Sequence, residues 1–372
     1  MPSNVLITGG AGFVGSHLSD RLLEMGHRVR VLDSFDPQVH GEDGSTANPL
    51  HSDVEVVRGD IRDGDLVRKS LDGVDAVVHF AAAVGVGQSM YEISRYLDVN
   101  VRGTGVLLEE LASASVGRLV VASSMSVYGE GLYRGPEGKA VAPPSRSREQ
   151  LLEGRWDPVD QEGRPLTPCP TPESKPPAPT SVYAVSKHDQ EQLCLMLGEA
   201  YGIPTVALRF FNIYGPRQSL SNPYTGVLAI FASRILNGNA PLVFEDGEQK
   251  RDFVHVRDVV QACTQALTKT EAEGTTLNVG SGKPRSILEV AHAMCRILGR
   301  QDLSPEVTGR YRVGDIRHCW ADIGRTRKLL DYTPRIDFDQ GLAEYAFWLS
   351  GQQAEDRVLA ASQELDRRGL RL

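Results

Sequence analysis

Apolar residues in the first third of the chain fall in short, β-branched-rich runs, separated by stretches where they recur every three or four positions. The runs NVLITG (4–9), RVRVLD (28–33), VEVVRGD (54–60), DAVVHFAA (75–82) and GRLVVASS (117–124) predict buried strands. Between them, GSHLSDRLLEMG (15–26) and NVRGTGVLLEELASA (100–114) carry the helical period. Strand–helix–strand repetition with apolar strands predicts an α/β protein whose parallel sheet is covered by helices on both faces.

The pattern breaks between Gly129 and Thr180, where prolines crowd the sequence (GPEGKAVAPPSRSREQ, then GRWDPVDQEGRPLTPCPTPESKPPAP). Prolines oppose regular ladders, and the stretch is too long for an ordinary connection. It is expected to be a functional lid, an interface arm or a disordered insert. The helical period resumes at Ser181 and a strand follows at 204–211. The later elements are shorter: a helix near 225–237, a strand pair around 242–254, a helix near 256–269, the strand TLNVGSG and a charged helix in the tail EDRVLAASQELDRRGL. This organisation predicts a first domain over 1–208, with 252–280 contributing and an insert at 130–178. A smaller mixed α/β substrate-binding lobe is expected from 209–251 and 281–372.

Composition narrows the function. The 372 residues are 41% hydrophobic and 24% charged, with mean hydropathy −0.25, as expected of a globular protein. A net charge of −8 argues against nucleic acid or an anionic membrane as partner, although a local basic pocket is compatible with it. Cys169, Cys194, Cys263, Cys295 and Cys319 are scattered without metal-ligand spacing. Free thiols in a reducing cytoplasm, with no metal site, are the expectation. The opening MPSNVLITGGAG reads as a strand rather than a signal peptide, and no window suggests a membrane span.

Chemistry enters at ITGGAGFVGSHL. Gly10, Gly12 and Gly15 form Gly-x-Gly-x-x-Gly between the first strand and the first helix, and Gly9 extends the pattern. Glycines there permit a tight turn, close approach of backbone to a pyrophosphate, and close packing of helix on sheet. The helix start at Phe13 and Val14 offers N–H groups and the positive end of the dipole to the phosphates. Asp33, closing the second strand, stands where it can accept from a ribose 2′-hydroxyl. It would repel a 2′-phosphate, and SFDPQVHGED after it supplies no arginine, so NAD is expected over NADP. Asp60 and Ile61 end the third strand. The Asp60 carboxylate suits an adenine amino group, and a helix N-cap serves as an equal reading.

SVYAVSK sets Tyr183 and Lys187 one helical turn apart, a pair that by itself reads equally as an exposed amphipathic turn. Its company changes this. TGGAGFVG (8–15), HFAA (79–82), SSMSVYG (123–129), YAVSK (183–187), RFFNIYGPRQ (209–218), KRDFVHVRDV (250–259) and GDIRHCWAD (314–322) resemble, in order, the nucleotide-sugar epimerases of the extended short-chain dehydrogenase/reductase family. The resemblance spans almost the whole chain and implies a Rossmann-type doubly wound sheet. It also implies that Ala81 and Ala82 join the cofactor contacts, that Tyr183 is the general acid/base, that Lys187 supports it and holds the nicotinamide ribose, and that Ser124 binds the reacting hydroxyl. Poising a tyrosine near neutrality takes roughly 4 kcal/mol of phenolate stabilisation at about 1.4 per pKa unit. The family's 4,6-dehydratases carry an acidic pair directly after the serine. Met125 and Ser126 stand here, which disfavours dehydration and leaves 4-epimerisation by transient oxidation. Ser126 and Ser123 are expected to have supporting roles.

On the substrate side the resemblance implies Asn212 at the diphosphate, Arg251 and Arg312 gripping it, and Asp315 at the ribose or base. Gln88 and Ser89 are within reach of sugar hydroxyls. Arg217, Arg257 and Arg317 read as surface salt bridges, Cys319 as the small wall of a roomy sugar pocket, His79 as a core residue and His188 as solvated. DPQVHG, AAAVGVGQSMYEI and CPTPESKPP are most similar to those members that interconvert dTDP-L-rhamnose and dTDP-6-deoxy-L-talose. UDP-glucose or UDP-glucuronate 4-epimerisation, or a 4-reductase or dehydrogenase, are the alternatives. A homodimer through the helices near 100–114 and 183–200 is also implied.

Overall fold

In the central predicted strands alternate residues have opposite fates and both are dry, whereas Glu55–Arg58, expected to be buried, is the edge of the sheet and largely exposed. In β1 (Asn4–Thr8) Val5 and Ile7 join one buried cluster while Leu6 joins another. The same division separates Val120 from Leu119 and Val121 in the strand Arg118–Ser124, and Leu208 from Ala207 in the strand Thr205–Phe210. A sheet apolar on both faces must be covered on both, and parallel strands need crossover helices that supply the cover. The computed structural model, which describes residues 3–41 and 48–371, shows that result.

The main sheet has seven strands, all parallel. With β2 (Arg28–Asp33), β3 (Glu55–Arg58), β4 (Ala76–His79) and β5 (Arg118–Ser124), its spatial order runs Thr275–Val279, Thr205–Phe210, β5, β4, β1, β2, β3. The chain reverses direction across the sheet between β1 and β4, and a crevice opens at such a point beyond the carboxyl ends of the strands. Thr8, Asp33, His79, Ser124 and Phe210 end their strands at that edge. Helix α1 (Phe13–Glu24) lies behind the crevice and packs against Val256–Ala266.

A second layer caps the crevice. The helices Val227–Leu236, Ile287–Ile297 and Phe338–Leu349 share a core of their own. Asn212–Tyr214, Lys250–His255, Pro284–Ser286 and His318–Cys319 form a small mixed sheet. The strand pair expected around 242–254 does not exist as a pair. Leu242–Val243 bonds to Glu306–Val307, and Lys250–His255 belongs to the mixed sheet.

The proline-rich stretch is ordered, which overturns the reading of it as a disordered insert. Leu132–Arg134 is the centre of a three-stranded antiparallel sheet flanked by Ala140–Val141 and Thr167–Cys169. Pro168 sits on the outer strand, where a missing N–H costs no ladder bond. The short helix Arg148–Leu152 is capped by the Ser147 hydroxyl. Among the described residues no helix is long and apolar enough to cross a membrane.

Candidate active site

One continuous cavity of about 1,660 Å³ runs along the crevice, from the glycine turn to the second layer. Gly9 has φ +69°, and a side chain there would strike the Phe80 and Ala81 backbone at 2.7–2.9 Å. A Cβ at Gly15 would lie 2.5 Å from Gly10 Cα, so the helix–turn packing admits no larger residue. Gly12 caps α1 without a side-chain bond, and Gly9, Gly12, Phe13, Val14 and Gly15 all line the cavity. An uncapped helix start facing an open crevice suits pyrophosphate oxygens.

Asp33 closes this turn. Its Oδ2 accepts from the Ala11 N–H (3.0 Å) and its Oδ1 from the Phe35 N–H (2.9 Å). A carboxylate has about four acceptor sites, so each oxygen keeps capacity toward the cavity it lines. Arg58, opposite Asp33 across the sheet, stacks on the Phe35 ring at 4.5 Å and is not on the cavity wall. Residues 42–47, which include the end of SFDPQVHGED, lie outside the described residues. Asp60 and Ile61 line the cavity, but Asp60 is not an N-cap. Asp63 caps the helix Gly64–Ser70, while Asp60 receives a fork from Arg62, which also meets Asp98. The Arg62 hydrogen bond holds the Asp60 carboxyl below its ordinary range. Ala81 and Ala82 complete this wall.

Ser124, at the end of β5, and Tyr183 and Lys187, on the helix Val182–Tyr201, meet at the cavity floor. The helix starts cleanly because the Ser181 hydroxyl accepts from the Ala184 N–H. Ser124 Oγ accepts from both the N–H (3.1 Å) and the hydroxyl (2.9 Å) of Ser126, so Ser126 orients it. Burial pushes the Tyr183 phenol above its ordinary pKa, and hydrogen bonding to Ser124 pulls it back. Burial pushes the Lys187 ammonium down to about 8, against the opposing pull of Cys194 and Glu191. Its Nζ donates to Gln190 Oε1 at 2.6 Å.

Several supporting residues escaped sequence reading. Asn100, fully buried, holds Ala83 through both its N–H and its carbonyl and donates to Ser186 on the Tyr183 helix. Tyr96 sets its ring edge-on to Tyr183 at 6.3 Å and donates to Gln88. Their signal was a buried polar residue on an otherwise apolar helical face, which without a partner in view reads as surface. His79 is a satisfied core histidine, bonded to Thr8 (2.7 Å) and Thr104 (2.9 Å). Burial, and then the charge of Lys187, keep it neutral with a pKa of about 3. His188 is half-buried rather than solvated, its Nδ1 enclosed without a partner.

On the opposite wall stand Gln88, Asn212, Arg251, Arg312 and Asp315. Asn212 Oδ1 is enclosed yet unbonded, a carbonyl oxygen awaiting a donor. Arg312 forks onto Asp315 (3.1 and 2.8 Å), and Arg251 donates to the carbonyls of Lys250, Ile316 and Arg317. Three expectations are corrected here. Ser89 is fully buried, bonds the Val86 carbonyl and does not reach the cavity. Cys319 is likewise enclosed in the core, away from the wall, so its size does not set a sugar pocket. Arg317 is a buried ion-pair centre rather than a surface bridge, meeting Asp157 (2.7 Å), Glu245 (2.9 Å) and Asp246 (2.6 Å). Arg217 and Arg257 do form the partly exposed bridges expected, to Asp20 and Glu344. Across the cavity mouth, Gln38 bonds both Gln88 and Asn222.

The sequence profile of the NAD dependent epimerase/dehydratase family matches residues 5–150 and 161–280. A dTDP-L-rhamnose 4-epimerase of Burkholderia thailandensis is 34% identical, the alignment covering 98% of this chain and 96% of that protein. The crystal structure of UDP-glucose 4-epimerase with UDP-glucose from Thermotoga maritima superposes with TM-score 0.76 at 28% identity, over 93% of this chain and 98% of its own. The Thermus thermophilus UDP-glucose 4-epimerase complex with NAD gives 0.73 at 30% identity, over 94% and 99%.

Proposed function

The chain belongs to the NAD-dependent epimerase/dehydratase family, and on that premise we propose that it inverts C4 of a nucleotide-sugar, with dTDP-L-rhamnose and dTDP-6-deoxy-L-talose as its substrate pair. The observation that carries the reading is a convergence in one cavity. Ser124, Tyr183 and Lys187 lie between a glycine turn fit for a dinucleotide and a wall bearing Arg251 and Arg312. The volume exceeds the roughly 300–1,000 Å³ of a single-ligand pocket, as a site for a dinucleotide beside a nucleotide-sugar requires.

Bound NAD would supply the hydride acceptor and then the hydride donor. Gly9 to Gly15 hold its pyrophosphate, Asp33 its adenosine ribose and Lys187 its nicotinamide ribose. Ser124 would hold the C4 hydroxyl. Tyr183 would take the proton of that oxygen as the C4 hydride leaves for the nicotinamide, and return that proton to the same oxygen when the hydride comes back to the other face of C4. Burial opposes this by favouring the neutral phenol, and the Ser124 hydrogen bond pulls the other way. The positive charges of Lys187, one turn along the helix, and of the oxidised nicotinamide would together supply the rest. Met125 and Ser126 supply no carboxylate pair beside Ser124, so water elimination from the sugar lacks its acid and base. Residues 1–208 and 252–280 then serve as the cofactor domain, with the remainder as the substrate lobe.

The dTDP-linked sugar is favoured by the Burkholderia relative, and a UDP-linked hexose by the Thermotoga neighbour. Incubation with a panel of dTDP- and UDP-sugars, followed by NMR at C4, separates them. Inversion of dTDP-L-rhamnose is expected, and inversion of UDP-glucose in its place would overturn that choice. A net reductase would consume nicotinamide cofactor stoichiometrically, whereas the epimerase leaves its absorbance unchanged.

A further inference from the structure

A lid over the site was one of the expectations for the insert 130–178, yet among the described residues none from 127 to 179 touches the cavity. Its polar groups converge elsewhere, on the segment 311–318. That segment places Arg312, Gly314, Asp315 and Ile316 on the cavity wall. Glu130 accepts the N–H groups of Arg317 (2.6 Å) and His318 (3.2 Å), and the Tyr133 hydroxyl (3.1 Å). Arg146 donates to the Asp315 carbonyl (3.2 Å), pairs with Glu245 (2.8 Å) and Glu130 (3.4 Å), and lies over the Tyr311 ring at 5.2 Å. Just beyond the insert, Thr180, itself on the cavity wall, donates to the Gly314 carbonyl (3.0 Å).

These contacts differ from surface ion pairs. The side chains of Arg146, Glu130 and Glu245 are 3%, 11% and 1% exposed, so water screens them little. The guanidinium is a planar fork that fixes direction as well as distance. The segment it holds has little ladder, the two-residue pairing His318–Cys319 and a single bridge of Arg312 to Arg371 with the Val313 N–H donating to the Leu370 carbonyl (2.9 Å), and Gly314 bends at φ +89°. Such a loop keeps a fixed shape only when other parts of the chain impose it.

We infer that the insert is the rigid backing of the substrate-gripping loop, and that Arg146 and Glu130 are positioning residues which set Arg312 and Asp315 for the nucleoside diphosphate end of the substrate. The inference rests on the function proposed above and on the contacts the family resemblance implies, Arg312 at the diphosphate and Asp315 at the ribose or base. Neither Arg146 nor Glu130 touches the cavity, so their effect passes through the loop alone.

Calorimetric titration of dTDP and UDP into the NAD-loaded wild type, Arg146→Met, Arg146→Lys and Glu130→Gln tests it, with bound NAD per chain and kcat at saturating substrate measured alongside. Arg146→Met is expected to bind the better diphosphate at least tenfold more weakly and to raise KM in parallel. Its kcat should stay within about threefold and its NAD content should not change. Arg146→Lys, which keeps the charge without the fork, should recover part of the loss. If Arg146→Met fails to fold, Glu130→Gln carries the test, since it places an amide donor against the Arg317 or His318 N–H. Unchanged diphosphate affinity in the folded variants, or NAD lost in step with diphosphate, would overturn the inference alone. Failure of the wild type to bind either diphosphate would overturn the functional reading together with it.

Discussion

At the scale of single residues, the site turns on where one proton resides. Tyr183 is the sole group beside Ser124 in the proposed mechanism that can take the C4 proton, so Tyr183→Phe should lose several orders of magnitude in rate while keeping its bound NAD. Near-normal turnover would place the base elsewhere. Lys187 gives a pH signature. Its native pKa is pushed down to about 8 by burial, whereas an unfolded lysine keeps its proton to about 10.4. Activity that needs the ammonium should therefore fall as pH rises past about 8. Stability moves the other way, because between these values the unfolded chain binds more protons, and the contribution of Lys187 to stability grows with pH. The advantage of Lys187→Met over the wild type, at most roughly 3 kcal/mol, should accordingly shrink between pH 7 and 10 in chemical denaturation. A rate that stays flat to pH 10 would refute the first expectation, and a pH-independent difference in stability the second. Asp33 was singled out by its place at the end of the second strand, and Ser124, Tyr183 and Lys187 by the motifs of the family resemblance; the fold brings all four to one cavity. Asn100 and Tyr96 were not legible, since nothing in an amphipathic helix tells which buried polar group will find a partner across the fold.

At the scale of elements, the helix Val182–Tyr201 must hold its two reactive side chains against the strand that carries Ser124. Glu191 does this, accepting from the Ser123 hydroxyl (2.6 Å) and a fork from Arg209 (2.9 and 2.6 Å), all buried. Removing one partner of a buried pair strands the other, so Glu191→Ala should cost about 3–5 kcal/mol in urea unfolding. A loss below about 1 kcal/mol would mean the apolar contacts suffice. The strands and helices of the main sheet were readable because buried parallel strands announce themselves as apolar runs. The insert was not, since local proline content says nothing of a three-stranded sheet whose bonds join residues such as Leu132 and Cys169. The separate fates of Leu242–Val243 and Lys250–His255 were hidden for the same reason, as each pairs with sequence far away.

At the scale of the whole molecule, the helices beside the site leave an apolar face uncovered. Ile93, Leu97, Val185, Met196 and Tyr201 are 39–57% exposed on neighbouring elements. We propose that a second copy covers this face, which adjoins the helices near 100–114 and 183–200 where the resemblance implied a homodimer. Light scattering should give the mass of a dimer, Met196→Glu should shift it toward the monomer, and a monomeric wild type at micromolar concentration would refute the arrangement. The order of the main sheet has a further consequence, for biosynthesis. Thr205–Phe210 pairs on its outer side with Thr275–Val279, which leaves the ribosome only after the whole segment between them. During that interval the nascent chain presents an open backbone edge whose side chains Val206, Ala207 and Leu208 are fully buried in the finished protein. At ~5–20 residues per second the exposure lasts on the order of 3–14 s. That span of translation is when an unpaired edge is most prone to associate with other chains, and when a chaperone has most to protect.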